Sequence, residues 1–211
     1  MPSSSAEDAV TEPLRTPVNR PDSWKEKLIF ARAFLRNPTG IGAIMPSGYA
    51  LACAITSGLV PGTGKVLELG TGTGVFTQHM LAMGFDPADL VLVEQNASLA
   101  DNLRTRFPRS TVLQVSAQAL ARRDDFVLSD VAATVCGLPL RNMRDHEHRQ
   151  MLEATFKAMR PDGNLYLFTY GLKCPVARTT LDALQLVSVL KKVVIKNVPP
   201  AAVYCISRVS G

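Results

Sequence analysis

Short apolar runs recur along the chain, separated by stretches with helical periodicity. The first, Val66-Leu67 with Leu69, encloses Glu68 and ends in a glycine-rich turn that opens into a helix. The second, Leu90-Val91-Leu92-Val93, ends at Glu94 and leads into a helix over 97–107 that Pro108 stops. A short third strand is predicted over 111–115. Residues 130–136 then form an almost wholly apolar and β-branched run, the pattern of a strand buried on both faces. A helix over 145–159 turns Leu152, Phe156 and Met159 inward, and Pro161-Asp162-Gly163 reads as a turn into a fifth strand over 164–169. After a helix near 177–184 come two more strands, 187–196 and 202–208. Pro199-Pro200 lies too close to both for a helical crossover, so this last pair should be antiparallel. The order predicts an α/β fold, a doubly wound seven-stranded Rossmann-like sheet closed by an antiparallel C-terminal hairpin.

The amino-terminal part follows other rules. Residues 1–21 are polar, acidic in places and punctuated by proline, which predicts a disordered leader and no secretory signal. Asp22-Ser23 starts a helix that runs to about residue 36 and stops at Asn37-Pro38. On its wheel Trp24, Leu28, Ala31 and Leu35 form a stripe beside Phe30 and Phe34, flanked by Lys25, Lys27, Arg32 and Arg36. Two readings stand: a helix packed on the domain with snorkelling cations, or an interfacial helix whose rings enter a bilayer while its cations meet anionic lipid heads. Residues 37–64 carry no charge, but prolines and glycines leave an unbroken helical piece only over about 47–57. That is far short of the ~20 residues a membrane span needs. On the second reading the chain divides into a leader (1–21), an amphipathic membrane-interacting helix (22–37) and the α/β domain (38–211).

Composition adds two limits. A chain of 211 residues with 46% apolar content supports one core, and its net charge of +5 favours an anionic partner, a membrane surface or nucleic acid. Four cysteines, Cys53, Cys136, Cys174 and Cys205, form no C-x-x-C pair and have no histidine at metal spacing, so they read as buried thiols in a reducing compartment, with no metal site. His146 and His148 fall in a charged stretch and read as solvated.

The chemistry lies in the turn Glu68-Leu69-Gly70-Thr71-Gly72-Thr73-Gly74 and in the second acid, Glu94. Glycines let the backbone approach a ligand closely, and a carboxylate after the next strand can accept both hydroxyls of a ribose. The acid at Glu68 sets this turn apart from a dinucleotide loop, which offers N–H groups to a pyrophosphate and has no carboxylate beside it. Such an acid suits a cationic cofactor with an amino-acid tail. The pattern resembles motif I of the class I S-adenosylmethionine-dependent methyltransferases. That resemblance implies that Gly70, Thr71, Gly72, Thr73 and Gly74 pass under the methionine part, with Glu68 orienting it. It implies that Glu94 holds the ribose, Gln95 and Asn96 lie beside the adenine, and Ser116-Ala117 meets the adenine edge. Many relatives carry Asp where Ser116 stands.

The loop after the fourth strand, Cys136-Gly137-Leu138-Pro139-Leu140, falls where the acceptor would meet the methyl group. Adenine amino-methyltransferases place an Asn or Asp and an aromatic ring here, to accept the amine protons and stack on a flipped base. Gly137 and Leu140 replace both, which favours a small aliphatic amine over a base. Together with residues 34–47, Phe168-Thr169-Tyr170-Gly171 and Asn197-Val198-Pro199-Pro200-Ala201, this loop resembles the bacterial phospholipid N-methyltransferases that convert phosphatidylethanolamine to phosphatidylcholine. The resemblance spans about residues 24–208. It implies a cytoplasmic enzyme, peripheral on the inner face of the cytoplasmic membrane, that takes a phospholipid and neither nucleic acid nor metal. Gly137, Leu138, Pro139 and Tyr49 would then surround the reacting amine. Tyr49 and Tyr170 would hold the lipid phosphate or line a cationic cage, and Arg141 and Lys173 would pair with the phosphate; for each of these four a surface or packing role stands beside. Three other readings remain: an ornithine-lipid or other small-amine N-methyltransferase, an RNA adenine dimethylase, and a cofactor-binding protein without chemistry.

Overall fold

The computed structural model describes residues 46–122, 130–195 and 200–209. The leader and the amphipathic helix of 22–37, with Trp24 to Arg36, lie outside the described residues, as do residues 38–45 and 196–199. The described elements are α1 (Pro46–Ile55), β1 (Lys65–Leu69), α2 (Val75–Ala82), β2 (Leu90–Val93), α3 (Ala97–Arg106), β3 (Thr111–Leu113), β4 (Val131–Cys136), α4 (Asp145–Ala158), β5 (Met159–Thr169), α5 (Arg178–Ala183), β6 (Leu186–Val194) and β7 (Ala201–Arg208). Short 3-10 turns precede β2, follow β3 and follow β4. No described helix is long and apolar enough to cross a membrane.

The strands form one seven-stranded sheet in the order β3-β2-β1-β4-β5-β7-β6. β1 to β5 are parallel, and β7 runs antiparallel to both β5 and β6. The central strands have apolar residues on both faces because helices cover both faces. On one side Leu51, Ile55, Met80 and Leu103, from α1, α2 and α3, pack over Leu92, Val135 and Val203. On the other Met151, Leu152, Phe156 and Leu181, from α4 and α5, pack over Leu67, Leu167 and Ile206.

Several boundaries differ from the sequence pattern by one or two residues, and one differs by more. β5 begins at Met159, ahead of the expected 164, but Pro161-Asp162-Gly163 does turn the chain within it: a Cβ at Gly163 would lie 2.9 Å from Met159 Cβ, and the regular ladder with β4 resumes at Asn164 after a register shift between Val131 and Ala133. The three residues form a bulge inside the strand. Arg208, at the end of β7, donates to the carbonyls of Arg160 (2.7 Å) and Pro161 (3.1 Å), satisfying groups that the bulge takes out of the ladder. β3 ends at Leu113, two residues before the expected end.

Candidate functional site

The loops that follow β1, β2 and β4 meet at the carboxyl edge of the sheet. The N–H groups of Gly70 and Thr71 donate to the Val93 carbonyl (2.9 and 3.1 Å), and Gly137 N–H donates to the Leu69 carbonyl (2.8 Å). The turn needs glycine for two reasons. Gly70, Gly72 and Gly74 take φ of 68°, 58° and 77°, the left-handed region that side chains disfavour. Space is the other: a Cβ at Gly70 would lie 2.5 Å from Leu138 Cδ2, and one at Gly137 would lie 2.8 Å from the Gly70 carbonyl oxygen. The glycine turn and the loop after β4 are therefore in backbone contact. Arg106, from the end of α3, donates to the Thr73 carbonyl and holds the far side of the turn.

Glu68 is fully buried. Its Oε2 accepts from Thr77 Oγ1 at 2.6 Å, while Oε1 has no hydrogen-bond partner. Burial pushes its carboxyl up to about 8; the Thr77 hydroxyl opposes this, and the nearby charge of Glu94 adds to it. A buried carboxyl oxygen without a hydrogen-bond partner, beside a half-buried glycine turn, is a place for a cationic donor. Glu94 is also buried, and both its oxygens accept backbone N–H groups: Oε2 from Gly72 (2.9 Å) and Oε1 from Asn96 (2.8 Å). A carboxylate offers about four lone-pair positions, so about two remain for a pair of ribose hydroxyls. A sulfonium nucleoside with an amino-acid tail fits these two acceptors: its ammonium would satisfy Glu68 and its ribose hydroxyls Glu94.

The other cofactor candidates are placed as follows. Gln95 is exposed at the start of the loop after β2, and Asn96 caps α3, its Oδ1 accepting from Leu99 N–H at 3.0 Å. Ser116 Oγ accepts from Ala119 N–H at 3.2 Å, capping the turn after β3, and Ala117 is buried beside it. The Cys136 thiol points into the core, where burial pushes it up to about 12, so it is a neutral packing group.

On the acceptor side, Leu138 packs against Gly70 and against the core, and Leu140 is buried. A Cβ at Gly137 would also come within 3.5 Å of the Phe76 ring. Phe76 makes an edge contact with Phe168 (6.1 Å between centroids), and Phe168 makes one with Tyr170 (5.4 Å). This ladder, from α2 to the end of β5, is a feature the sequence does not announce, because its rings lie about ninety residues apart in the chain. Pro139 begins the 3-10 turn that carries Arg141, whose Nη1 donates to the Tyr170 carbonyl at 2.6 Å, so loop and ladder are tied together. Lys173 is exposed just beyond. Tyr49 is exposed on α1, its ring edge-on to His79 (5.3 Å), one turn along α2 from Phe76. Burial holds the His79 imidazole below its ordinary range.

The reading of both later histidines as solvated needs correcting. His146 is exposed, but His148 is buried, with Nε2 2.8 Å from the Leu140 carbonyl. Charged neighbours in sequence point away from the helix face that carries His148, so α4 grips the loop after β4 through this ring.

Comparison with known proteins agrees with this geometry. The family profile described as a methyltransferase domain matches residues 66–163. An uncharacterized methyltransferase-like protein of Schizosaccharomyces pombe is 28% identical over 109 residues, which are 52% of this chain and 39% of that protein. Among solved structures, the 1,6-didemethyltoxoflavin-N1-methyltransferase of Burkholderia thailandensis, with bound 1,6-didemethyltoxoflavin and S-adenosylhomocysteine, aligns with TM-score 0.63 at 14% identity over 94% of each chain. The glycopeptide N-methyltransferase MtfA, complexed with S-adenosylmethionine, aligns with TM-score 0.61 at 13% identity over 81% of this chain and 98% of that one. At these identities the structural likeness is one of fold.

Proposed function

We propose that this chain is a class I S-adenosylmethionine-dependent methyltransferase that methylates the amine of phosphatidylethanolamine and of its mono- and dimethyl derivatives, making phosphatidylcholine at a membrane surface. The observation that carries the proposal is the acceptor side. Beside Gly137 stand aliphatic and aromatic surfaces, Leu138 and Phe76 with Phe168 and Tyr170 behind, and the loop 136–140 has no side-chain amide or carboxylate to accept the protons of a base amine. Leu140, where adenine enzymes place their stacking ring, is turned into the core. Such a mouth suits an alkylammonium head group, whose methyl groups and charge are both welcome at ring faces.

Bound S-adenosylmethionine supplies an electrophilic methyl group on a sulfonium. The chain's own residues do the rest. Glu68 and Glu94 hold the two ends of the cofactor, and the contact between Gly70 and Gly137 sets the acceptor loop against it. An ethanolamine nitrogen resembles a lysine amine, so at pH 7 only about one part in 10³ carries a free lone pair, and exposing it costs roughly 4–5 kcal/mol. Aliphatic Leu138 excludes water from the ammonium, and such desolvation beside a cationic cofactor favours loss of the proton. Positioning by the loop contributes much of the remainder. Arg141 and Lys173, at the rim, are the partners proposed for the lipid phosphate, with Tyr49 and Tyr170 beside the head group.

In this account residues 1–21 are a leader, 22–37 a helix lying on the inner face of the cytoplasmic membrane, and 38–211 the catalytic domain. The test is incubation with methyl-labelled S-adenosylmethionine and phosphatidylethanolamine vesicles. Label recovered in the lipid supports the proposal. Label only in vesicles of an ornithine lipid, or only in free small amines, would replace the acceptor.

A further inference from the structure

The chain's positive charge is concentrated at one end. Residues 163–211 contain six Lys and Arg residues and one acid, Asp182. Taking these from the totals of 23 basic and 18 acidic residues leaves 17 of each in residues 1–162, so the whole net charge of +5 belongs to the last 49 residues. Of those six, Arg178 pairs with Asp182 at 2.8 Å, and Arg208 is bound to the carbonyls of the β5 bulge. Lys173, Lys191 and Lys192 are exposed.

The same region holds an apolar surface. β6 is an outer strand of the sheet, and Leu190 and Ile195 on and just beyond it are 47% and 77% exposed. Leu190 lies opposite Tyr204, whose hydroxyl donates to the carbonyl of Leu172, itself 71% exposed; the loop after β5 is thereby drawn up to the edge. A register shift between Leu190 and Lys192 sets Lys191 and Lys192 side by side opposite Val203. Val193 pairs with Ala202, and Ala202 with Thr169 at the end of β5, so this surface lies toward the edge of the sheet that carries the acceptor loop.

We propose that the β6 edge with the Leu172-Lys173 loop is a docking surface for an anionic lipid bilayer. Leu172, Leu190 and Ile195 enter the boundary between head groups and acyl chains, and the lysines meet lipid phosphates. Charge complementarity selects this occupant. After Asp182 the sequence has no acid, so a two-fold contact between copies of this chain would set lysines against lysines. An anionic membrane complements them. The proposal rests on the lipid-substrate reading and adds the face by which the mouth is presented to its substrate.

The test is sedimentation of the full chain with phosphatidylethanolamine vesicles, with and without phosphatidylglycerol. Lys191→Gln/Lys192→Gln should weaken binding to the phosphatidylglycerol vesicles about five-fold per lysine, roughly 25-fold together, and leave the melting temperature and cofactor affinity unchanged. Leu190→Ser/Ile195→Ser should reduce binding to both vesicle types. Unchanged sedimentation of both variants would overturn the docking surface even if phosphatidylethanolamine is methylated. A wild-type dimer that Leu190→Ser/Ile195→Ser dissociates without loss of vesicle binding would overturn it in favour of a second copy. Lysine-dependent vesicle binding without any methylated lipid would uphold the surface and refute the lipid-substrate reading alone.

Discussion

Replacing Glu68 by Gln isolates the part of the site that is most unusual physically. Burial raises this carboxyl from about 4.5 to about 8 in the protein without ligand, so at pH 7 about nine-tenths of the molecules hold it protonated. A cofactor ammonium placed at the unpartnered Oε1 favours the carboxylate, and binding at pH 7 should therefore release close to one proton from Glu68. A charge-assisted hydrogen bond contributes roughly 1.5–3 kcal/mol. Removing the proton one unit below its pKa costs about 1.4 kcal/mol. The proton cost offsets half or more of the bond at neutral pH, leaving at most about 1.6 kcal/mol, so Glu68→Gln should weaken S-adenosylmethionine binding by no more than about 15-fold there. The proton count is the sharper readout. Titration calorimetry at pH 7, in two buffers of different ionisation enthalpy, should show about 0.9 fewer protons released by Glu68→Gln than by the wild type. S-adenosylhomocysteine, which keeps the ammonium and lacks the sulfonium charge, should give the same difference. Equal proton release by the two proteins would refute the placement of the cofactor's cationic end at Glu68. A stability measurement carries the same sign. Because the folded value is raised, the stability Glu68 contributes is fully present below about pH 4.5 and is lost as pH rises through about 8. The loss is at most roughly 5 kcal/mol, so in the absence of ligand Glu68→Gln should flatten this decline in thermal unfolding across that window.

Gly137→Ala would put a Cβ 2.8 Å from the Gly70 carbonyl, and either the acceptor loop or the glycine turn must move. Overpacking of this kind costs about 1–3 kcal/mol, read as a lower melting temperature and a reduced thermal shift with S-adenosylmethionine. His148→Ala leaves the Leu140 carbonyl without its side-chain partner, a loss of about 1–3 kcal/mol; kcat should fall more than cofactor affinity, because only the acceptor loop is released. Phe76→Leu removes the ring next to Gly137, worth about 0.5–2 kcal/mol to a bound cation, and mass spectrometry should find the mono- and dimethylated lipids accumulating. Replacing Trp24, Phe30 and Phe34 by Ser should reduce vesicle sedimentation while S-adenosylmethionine affinity stays unchanged; loss of both would assign that helix a structural role.

The parallel strands were legible in the sequence because burial on both faces leaves uninterrupted apolar runs, as over Leu90–Val93. The antiparallel closure was legible from the shortness of the proline-containing link before β7. Glu68 and Glu94 stood out because an acid inside or at the end of such a run is costly to bury without a purpose. Other features depend on contacts between distant parts of the chain. The extension of β5 back to Met159 was hidden because Pro161-Asp162-Gly163 is a local turn, and the carbonyls it takes out of the ladder are met by Arg208, 48 residues from Arg160. His148 was misread from its charged neighbours, since its burial depends on the Leu140 carbonyl eight residues back. The Phe76–Phe168–Tyr170 ladder joins one helix to the end of a distant strand, and no local pattern records it.

The central claim is that a lipid amine is the acceptor, and lipid mass spectrometry tests it most directly. The full chain would be incubated with S-adenosylmethionine and mixed vesicles of phosphatidylethanolamine, phosphatidylglycerol and an ornithine lipid. The account predicts a series of mono-, di- and trimethylated phosphatidylethanolamine, absent with the Gly137→Ala variant. Cofactor binding with every lipid left unmodified would contradict it.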